Sequence, residues 1–188
     1  MKQYQGTGAT QYEQRRQRQE KWRWENRVVG DILARIGGEI ASVIDAPVGT
    51  GRFLSLYRVP AIGYDVSDDM LNVAREKHAT AQLARLDLLR NAIPARADLV
   101  VCVRFLNLVD TDAAALVLGK LLDASDKYAL FTVRTGEPQR IGKVYVHRRK
   151  DIEDVIEQRS FQVQVLDSRI FPDKVGGDYN MILVRRAA

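Results

Sequence analysis

Cysteine is almost missing from this chain. A single residue, Cys102, in 188 cannot form an internal disulfide, so a reducing compartment is the expected setting. Histidine is nearly as scarce: His78 and His147 leave few groups able to move a proton near neutral pH. No apolar run approaches the roughly eighteen residues that span a bilayer, and the opening stretch MKQYQGTGATQYEQRR lacks the apolar core of a secretion signal. These absences lead to the expectation of a soluble, cytoplasmic protein with no membrane partner. Internal repeats and low-complexity linkers are also missing, and a hydrophobic content of 46% over this length suits one globular domain.

Charge is present but unevenly spread. The net charge is +5, and much of the excess lies in two segments. One runs from residue 1 to 30, with Lys2, Arg15, Arg16, Arg18, Lys21, Arg23 and Arg27 against Glu13, Glu20 and Glu25. The other, residues 134 to 150, sets Arg134, Arg140, Lys143, Arg148, Arg149 and Lys150 against Glu137. The remainder is mildly acidic. Such segments are either solvated faces or the rim of a site for an anion.

The apolar pattern alternates between strand and helix periods, which predicts an α/β fold with a mostly parallel sheet. RVVGDILARI (27–36) reads as a helix stopped by Gly37-Gly38, and strands are expected at 41–46, 61–65, 83–87, 98–103, 127–133, 161–167 and 179–185. Ser67 is placed to cap the helix DDMLNVAREKHA, and Asp110 or Thr111 the next. A short helix is expected from Arg52 to Leu56, another over 151–159, and VGGD (175–178) should join the last two strands as an antiparallel pair. Residues 1–26 form a basic, aromatic arm ahead of a domain over 27–188. The arm is expected to be dispensable for folding and to close over a ligand, or else to pack through Trp22 and Trp24.

One stretch raises a chemical question. VIDAPVGTGRF (43–53) ends a buried strand on Asp45 and then turns on Gly49 and Gly51, where backbone can approach a ligand closely. Aspartates also close the next two expected strands, Asp65 and Asp87, at the edge where open α/β sheets bind ligands. A dinucleotide fingerprint needs a third glycine and tolerates no anion beside a pyrophosphate. Here Arg52-Phe53-Leu54 follows Gly51, and Asp45 would repel phosphate while attracting a cation. S-adenosylmethionine, with a sulfonium and an amino group but no phosphate, suits this loop.

With these segments together, the chain resembles the class I S-adenosylmethionine-dependent methyltransferases over roughly residues 12 to 185. VIDAPVGTGRF is similar to the first motif of that family, with Pro47 at the first glycine position. GYDVSDDMLNVAREK resembles the second, LARLDLL the third, and ADLVVCVRFLNLV the fourth strand and its turn. The resemblance implies a Rossmann-like, doubly wound, seven-stranded sheet, mostly parallel with an antiparallel last strand. It also implies cofactor contacts at Asp45, Ala46, Pro47, Gly49 and Gly51. Asp65 would take the ribose, Val66 or Met70 the adenine face, Asp87 and Leu88 the adenine edge, and Arg104 the turn after the fourth strand. No metal site is expected.

The acceptor is left open by the same comparison. No D/N-P-P-Y/F sequence follows the fourth strand, Cys102 is not preceded by proline, and no Lys-Asp-Lys-Glu arrangement stands at the expected elements. His78 is expected to be solvated. His147, in KVYVHRRKD, is either a cap or a group that touches the acceptor. The basic segments favour an anionic small molecule methylated at oxygen or nitrogen. Alternatives are a nucleic acid, or binding of S-adenosylmethionine without catalysis.

Overall fold

The computed structural model describes residues 20–171 and 175–187. Its main sheet has seven strands in the order β3-β2-β1-β4-β5-β9-β8, with helices around it. The strands are β1 Val43–Asp45, β2 Ala61–Asp65, β3 Gln82–Arg85, β4 Ala97–Cys102, β5 Ser125–Thr135, β8 Phe161–Arg169 and β9 Asp178–Arg186. A hairpin, β6 Gln139–Ile141 and β7 Val144–Val146, forms a second, two-stranded sheet. The helices are α1 Glu20–Ile36, α2 Asp68–Lys77, α3 Thr111–Asp123 and α4 Arg149–Gln158. The chain divides into two compact units, one through Asp87 and one from Leu88.

In the first unit β1 pairs in parallel with β2, and β2 with β3. All three residues of β1 are buried, as an interior parallel strand with both faces covered requires. Helix α1 buries Glu25, Val28, Val29, Ile32 and Ile36, a three-and-four spacing that gives a single stripe. Ser67 caps α2 by accepting the amide of Met70 at 3.4 Å, and Asp68 and Asp69 lie in its first turn, where the helix dipole favours acids.

In the second unit β4 and β5 are parallel, while β9 runs antiparallel to both β5 and β8. The expected antiparallel close of the sheet is therefore present. Asp110 caps α3, accepting the Ala113 amide at 2.9 Å, and the helix buries Ala114, Val117, Leu118, Leu121 and Leu122.

Several expectations need correction. The first helix begins by Glu20 rather than residue 27, and Trp22 and Trp24 are 6% and 3% exposed. They pack, so the stretch 20–26 belongs to a core helix, and the rest of the arm (1–19) lies outside the described residues. In place of the short helix from Arg52 there is one 3-10 turn, Leu54–Leu56, because the loop bonds of Gly51 to Val48 and Leu54 to Gly51 already span three residues. Strand β3 stops at Arg85, which leaves Asp87 beyond its end. The β6–β7 hairpin was not anticipated, and Arg134, counted with the basic rim, is 1% exposed and donates to the Gly176 carbonyl at 2.7 Å.

Burial of Trp24 sets a quantitative expectation. Trp24→Ala should lower stability by about 3–5 kcal/mol, the cost of emptying an aromatic core site, as read from the midpoint of urea unfolding. A loss below about 1 kcal/mol would mean that the first turns of α1 contribute little to the packed core.

Candidate functional site

The loop after β1 is shaped by its neighbours on β2. Val48 donates its amide to the Tyr64 carbonyl at 2.7 Å, turning the chain back across the end of the sheet. That approach requires Gly63, where a Cβ would fall 2.8 Å from a Val48 methyl and 2.5 Å from Leu83. Gly49 and Gly51 then adopt left-handed angles, φ 56° and 76°. A Cβ on Gly51 would also press on His78 at 2.8 Å, so that site is closed to side chains by packing as well as by backbone. At Gly49 a Cβ would meet nothing within 4 Å. Bare backbone thus borders open space there. The Ala46–Pro47 peptide is cis.

Two carboxylates stand beside this loop. Asp65, at the end of β2, accepts the Gly49 amide on Oδ2 and the Ser67 amide on Oδ1, both at 2.9 Å. Burial raises its pKa, and the two amide bonds act against that rise. Asp45, at the end of β1, is 2% exposed and accepts the Tyr57 hydroxyl on Oδ2 at 2.9 Å. Burial pushes it up to about 7; the Tyr57 bond lowers it, Asp65 raises it further, and Arg52 lowers it. The buried Tyr57 hydroxyl is in turn held well above its ordinary range by burial and by Asp45. A buried acid with a pKa near neutrality becomes a strong attractor for a cation, because a positive group returns it to the ionised form.

Asp45, Ala46, Pro47, Gly49, Gly51, Asp65 and Val66 are thus brought together by β1, β2 and the turns after them. Met70 is buried on α2, and Asp87 is half-buried two residues past β3. These residues fit an adenosyl ligand with a positive end. Two carboxylates stand at the strand ends, bare backbone lies between them, and no phosphate has to be accommodated. Three contributors escaped the sequence reading: Tyr57, Arg52 and Glu25. Nothing in LYRVP, GTGRF or WENRVV marks the pairing of Tyr57 with Asp45 or of Arg52 with Glu25, since the partners are far apart along the chain. His78, expected to be solvated, is half-buried beside Gly51.

In the second unit Leu88 is buried, and its carbonyl accepts from Lys120 Nζ at 2.8 Å. Arg104 follows β4 at φ 65°, a left-handed angle that costs a non-glycine residue roughly 1–3 kcal/mol. Its amide is fixed by Thr132 Oγ1 at 2.7 Å. Strain of this kind gathers at functional turns. His147 is fully buried. Its Nε2 donates to the Leu106 carbonyl at 3.0 Å, which leaves Nδ1 to accept from the Thr111 hydroxyl at 3.1 Å. Burial lowers its pKa, so the ring is a neutral strut between β7, α3 and the turn after β4.

The raised acid has a stability signature. A carboxyl whose folded pKa lies above its unfolded value binds more protons when folded, so its contribution is full below about pH 4 and is lost as pH rises toward 7. Asp45→Asn keeps an oxygen for Tyr57 and removes that penalty. At pH 8 it should raise stability by on the order of 2–4 kcal/mol and flatten the melting temperature between pH 5 and 8. Equal melting curves for the two proteins at pH 8 would show that Asp45 ionises at no cost.

No family model matches the chain, and none of the curated proteins matches it. Solved structures do. A magnesium protoporphyrin IX methyltransferase from Synechocystis, with bound S-adenosylhomocysteine, is 14% identical over 99% of this chain and 97% of that one, TM-score 0.78. An S-adenosylmethionine-dependent methyltransferase from Clostridium acetobutylicum is 14% identical over 85% and 90%, TM-score 0.66. An O-methyltransferase from neocarzinostatin biosynthesis, in complex with S-adenosyl-L-homocysteine and 1,4-dihydroxy-2-naphthoic acid, is 13% identical over 78% and 49%, TM-score 0.59. At such identities the likeness is one of backbone architecture. This chain has the fold of the class I S-adenosylmethionine-dependent methyltransferases.

Proposed function

We propose that the protein transfers a methyl group from S-adenosylmethionine to an anionic small-molecule acceptor, at oxygen or nitrogen. The observation that carries the reading is the loop between Asp45 and Asp65, where two buried acids flank bare glycine backbone. When bound, S-adenosylmethionine supplies an electrophilic methyl on a sulfonium. On this reading the chain binds and orients. Asp65 offers its remaining lone pairs to the ribose hydroxyls, Val66 and Met70 lie at the adenine face, and Asp87 at its edge. Asp45 holds the cationic methionine end beside Gly49 and Gly51. No strong base is required, because displacement at a sulfonium is accelerated largely by placing the acceptor in line.

The anionic acceptor is supported by Arg140 and Lys143 on the β6–β7 hairpin and Arg148, Arg149 and Lys150 at the start of α4, all exposed. It is also supported by the naphthoic acid held by one structural neighbour. A nucleic acid is the second reading, favoured by the guanidinium of Arg140 lying 5.2 Å from the Tyr145 ring, a cationic and aromatic pair of the kind that meets bases and phosphates. Binding to an RNA oligonucleotide with a steep dependence on salt would favour that reading over the first.

Calorimetry decides the cofactor. S-adenosylhomocysteine and S-adenosylmethionine should bind and NAD should not, and Asp65→Ala should weaken binding by about 1–3 kcal/mol, the scale of charge-assisted hydrogen bonds. Affinity for the sulfonium form should rise with pH up to about 7 and level off above it, because the ligand selects ionised Asp45. Tight NAD binding without a response to S-adenosylhomocysteine would overturn the assignment. Transfer of a labelled methyl group across a panel of aromatic and aliphatic acids then tests the acceptor.

A further inference from the structure

One heavily engaged charged side chain beside the loop has no part in the ligand contacts proposed for it. Arg52 directly follows Gly51, and all three guanidinium nitrogens are directed at α1. Nη1 donates to Glu25 Oε2 at 2.6 Å, Nη2 to the Trp22 carbonyl at 2.6 Å, and Nε to Asn26 Oδ1 at 2.9 Å. The same plane lies 3.6 Å from the centroid of the Trp22 ring and 4.6 Å from that of Phe53. The ion pair is shielded from water: the side chains of Arg52 and Glu25 are 9% and 0% exposed. Only a planar fork can make three such bonds and stack at once. A single residue therefore ties the end of the glycine loop to the first two turns of α1.

We propose that Arg52 is a positioning residue that links the order of α1 around Trp22 to the affinity of the glycine loop for its ligand, so that each stabilises the other. The linkage rests on the reading of that loop as the S-adenosylmethionine site. Its physical basis is that each part of the loop has its own anchor, and that the anchor of its last residues is α1. Val48 and Gly49 are held to β2 and Gly51 packs on α2, whereas the direction in which the chain leaves Gly51 is set by where Arg52 is anchored. If α1 loosens at Trp22, Arg52 loses its stack and its carbonyl partner together, and the loop gains conformations that do not match a ligand. Coupling through one shared element is reciprocal, so a ligand that orders the loop must also order the start of α1. Glu25 makes the link specific, because a carboxylate without exposure cannot be left without its cation.

The test uses the full-length chain and two variants, Arg52→Lys, which keeps the charge but not the fork, and Glu25→Gln, which keeps the shape but not the charge. In the wild type, S-adenosylhomocysteine should slow amide exchange in residues 20–27 as well as in the loop. Arg52→Lys should still melt in one transition and bind S-adenosylhomocysteine about tenfold more weakly, with protection confined to the loop, and Glu25→Gln should fall between. Wild-type affinity in Arg52→Lys, or ligand protection that never reaches residues 20–27 in the wild type, would overturn the linkage. Failure of the wild type to bind S-adenosylhomocysteine would overturn the cofactor reading instead. The link is then judged without ligand: Arg52→Lys must speed exchange in the loop and in residues 20–27 together, and a change confined to one of them rejects it.

Discussion

The carboxylate of Asp65 carries two attachments on which the rest of the site depends. Through Oδ2 it holds the Gly49 amide, and so fixes how far the loop after β1 folds back over the sheet. Through Oδ1 it holds the Ser67 amide, and so sets where α2 begins. Both bonds come from backbone amides, whose directions are determined by the loop's own angles. Losing the carboxylate would therefore free two segments at once. It would also leave two half-buried donors without their carboxylate acceptor, at the cost of both bonds.

Asp45 illustrates the opposite economy. Its burial is unfavourable to the folded chain above about pH 4, and Tyr57 offsets only part of that cost. A charge kept at such a cost is poised for a partner that arrives later. On the proposed reading the partner is the positive end of the ligand, and the pKa near neutrality reflects a site awaiting that charge. Stability and binding are then set against each other at one carboxylate, as at many functional sites.

What the sequence disclosed and what it hid divide along sequence distance. Asp45 and Asp65 at strand ends, Ser67 as a cap, and the antiparallel close of the sheet all follow from neighbouring residues and short periods. The start of α1 did not, because Lys21, Arg23 and Glu25 break the apolar stripe, and the burial of Glu25 makes sense only with Arg52, 27 positions away. Tyr57 is likewise explained only by Asp45. The hairpin β6–β7 was obscured by its basic residues, which drew attention to charge instead of to the alternation in RIGKVYV. His147 was misleading for the same reason. Flanked by Arg148, Arg149 and Lys150 ahead of α4, it reads as a cap or an acceptor contact, yet its backbone is tied to Arg134 and Gly136 and its ring is enclosed.

That enclosure bears on how a protein with two histidines could catalyse a transfer. Neither ring is presented as a general base: His147 has both nitrogens committed, and His78 packs beside Gly51. A reaction that needed a strong base would be poorly served by such a chain, whereas displacement at a sulfonium asks mainly that two atoms be held in line. Holding is a matter of backbone shape. At Gly51 the left-handed angle and the contacts with His78, Leu54 and Ala74 exclude any side chain, so loop geometry is determined twice over, by conformation and by packing. Arg52 adds a third constraint from α1. On the proposed reading, catalytic capacity therefore resides less in reactive side chains than in the rigidity of a few residues between Asp45 and Phe53.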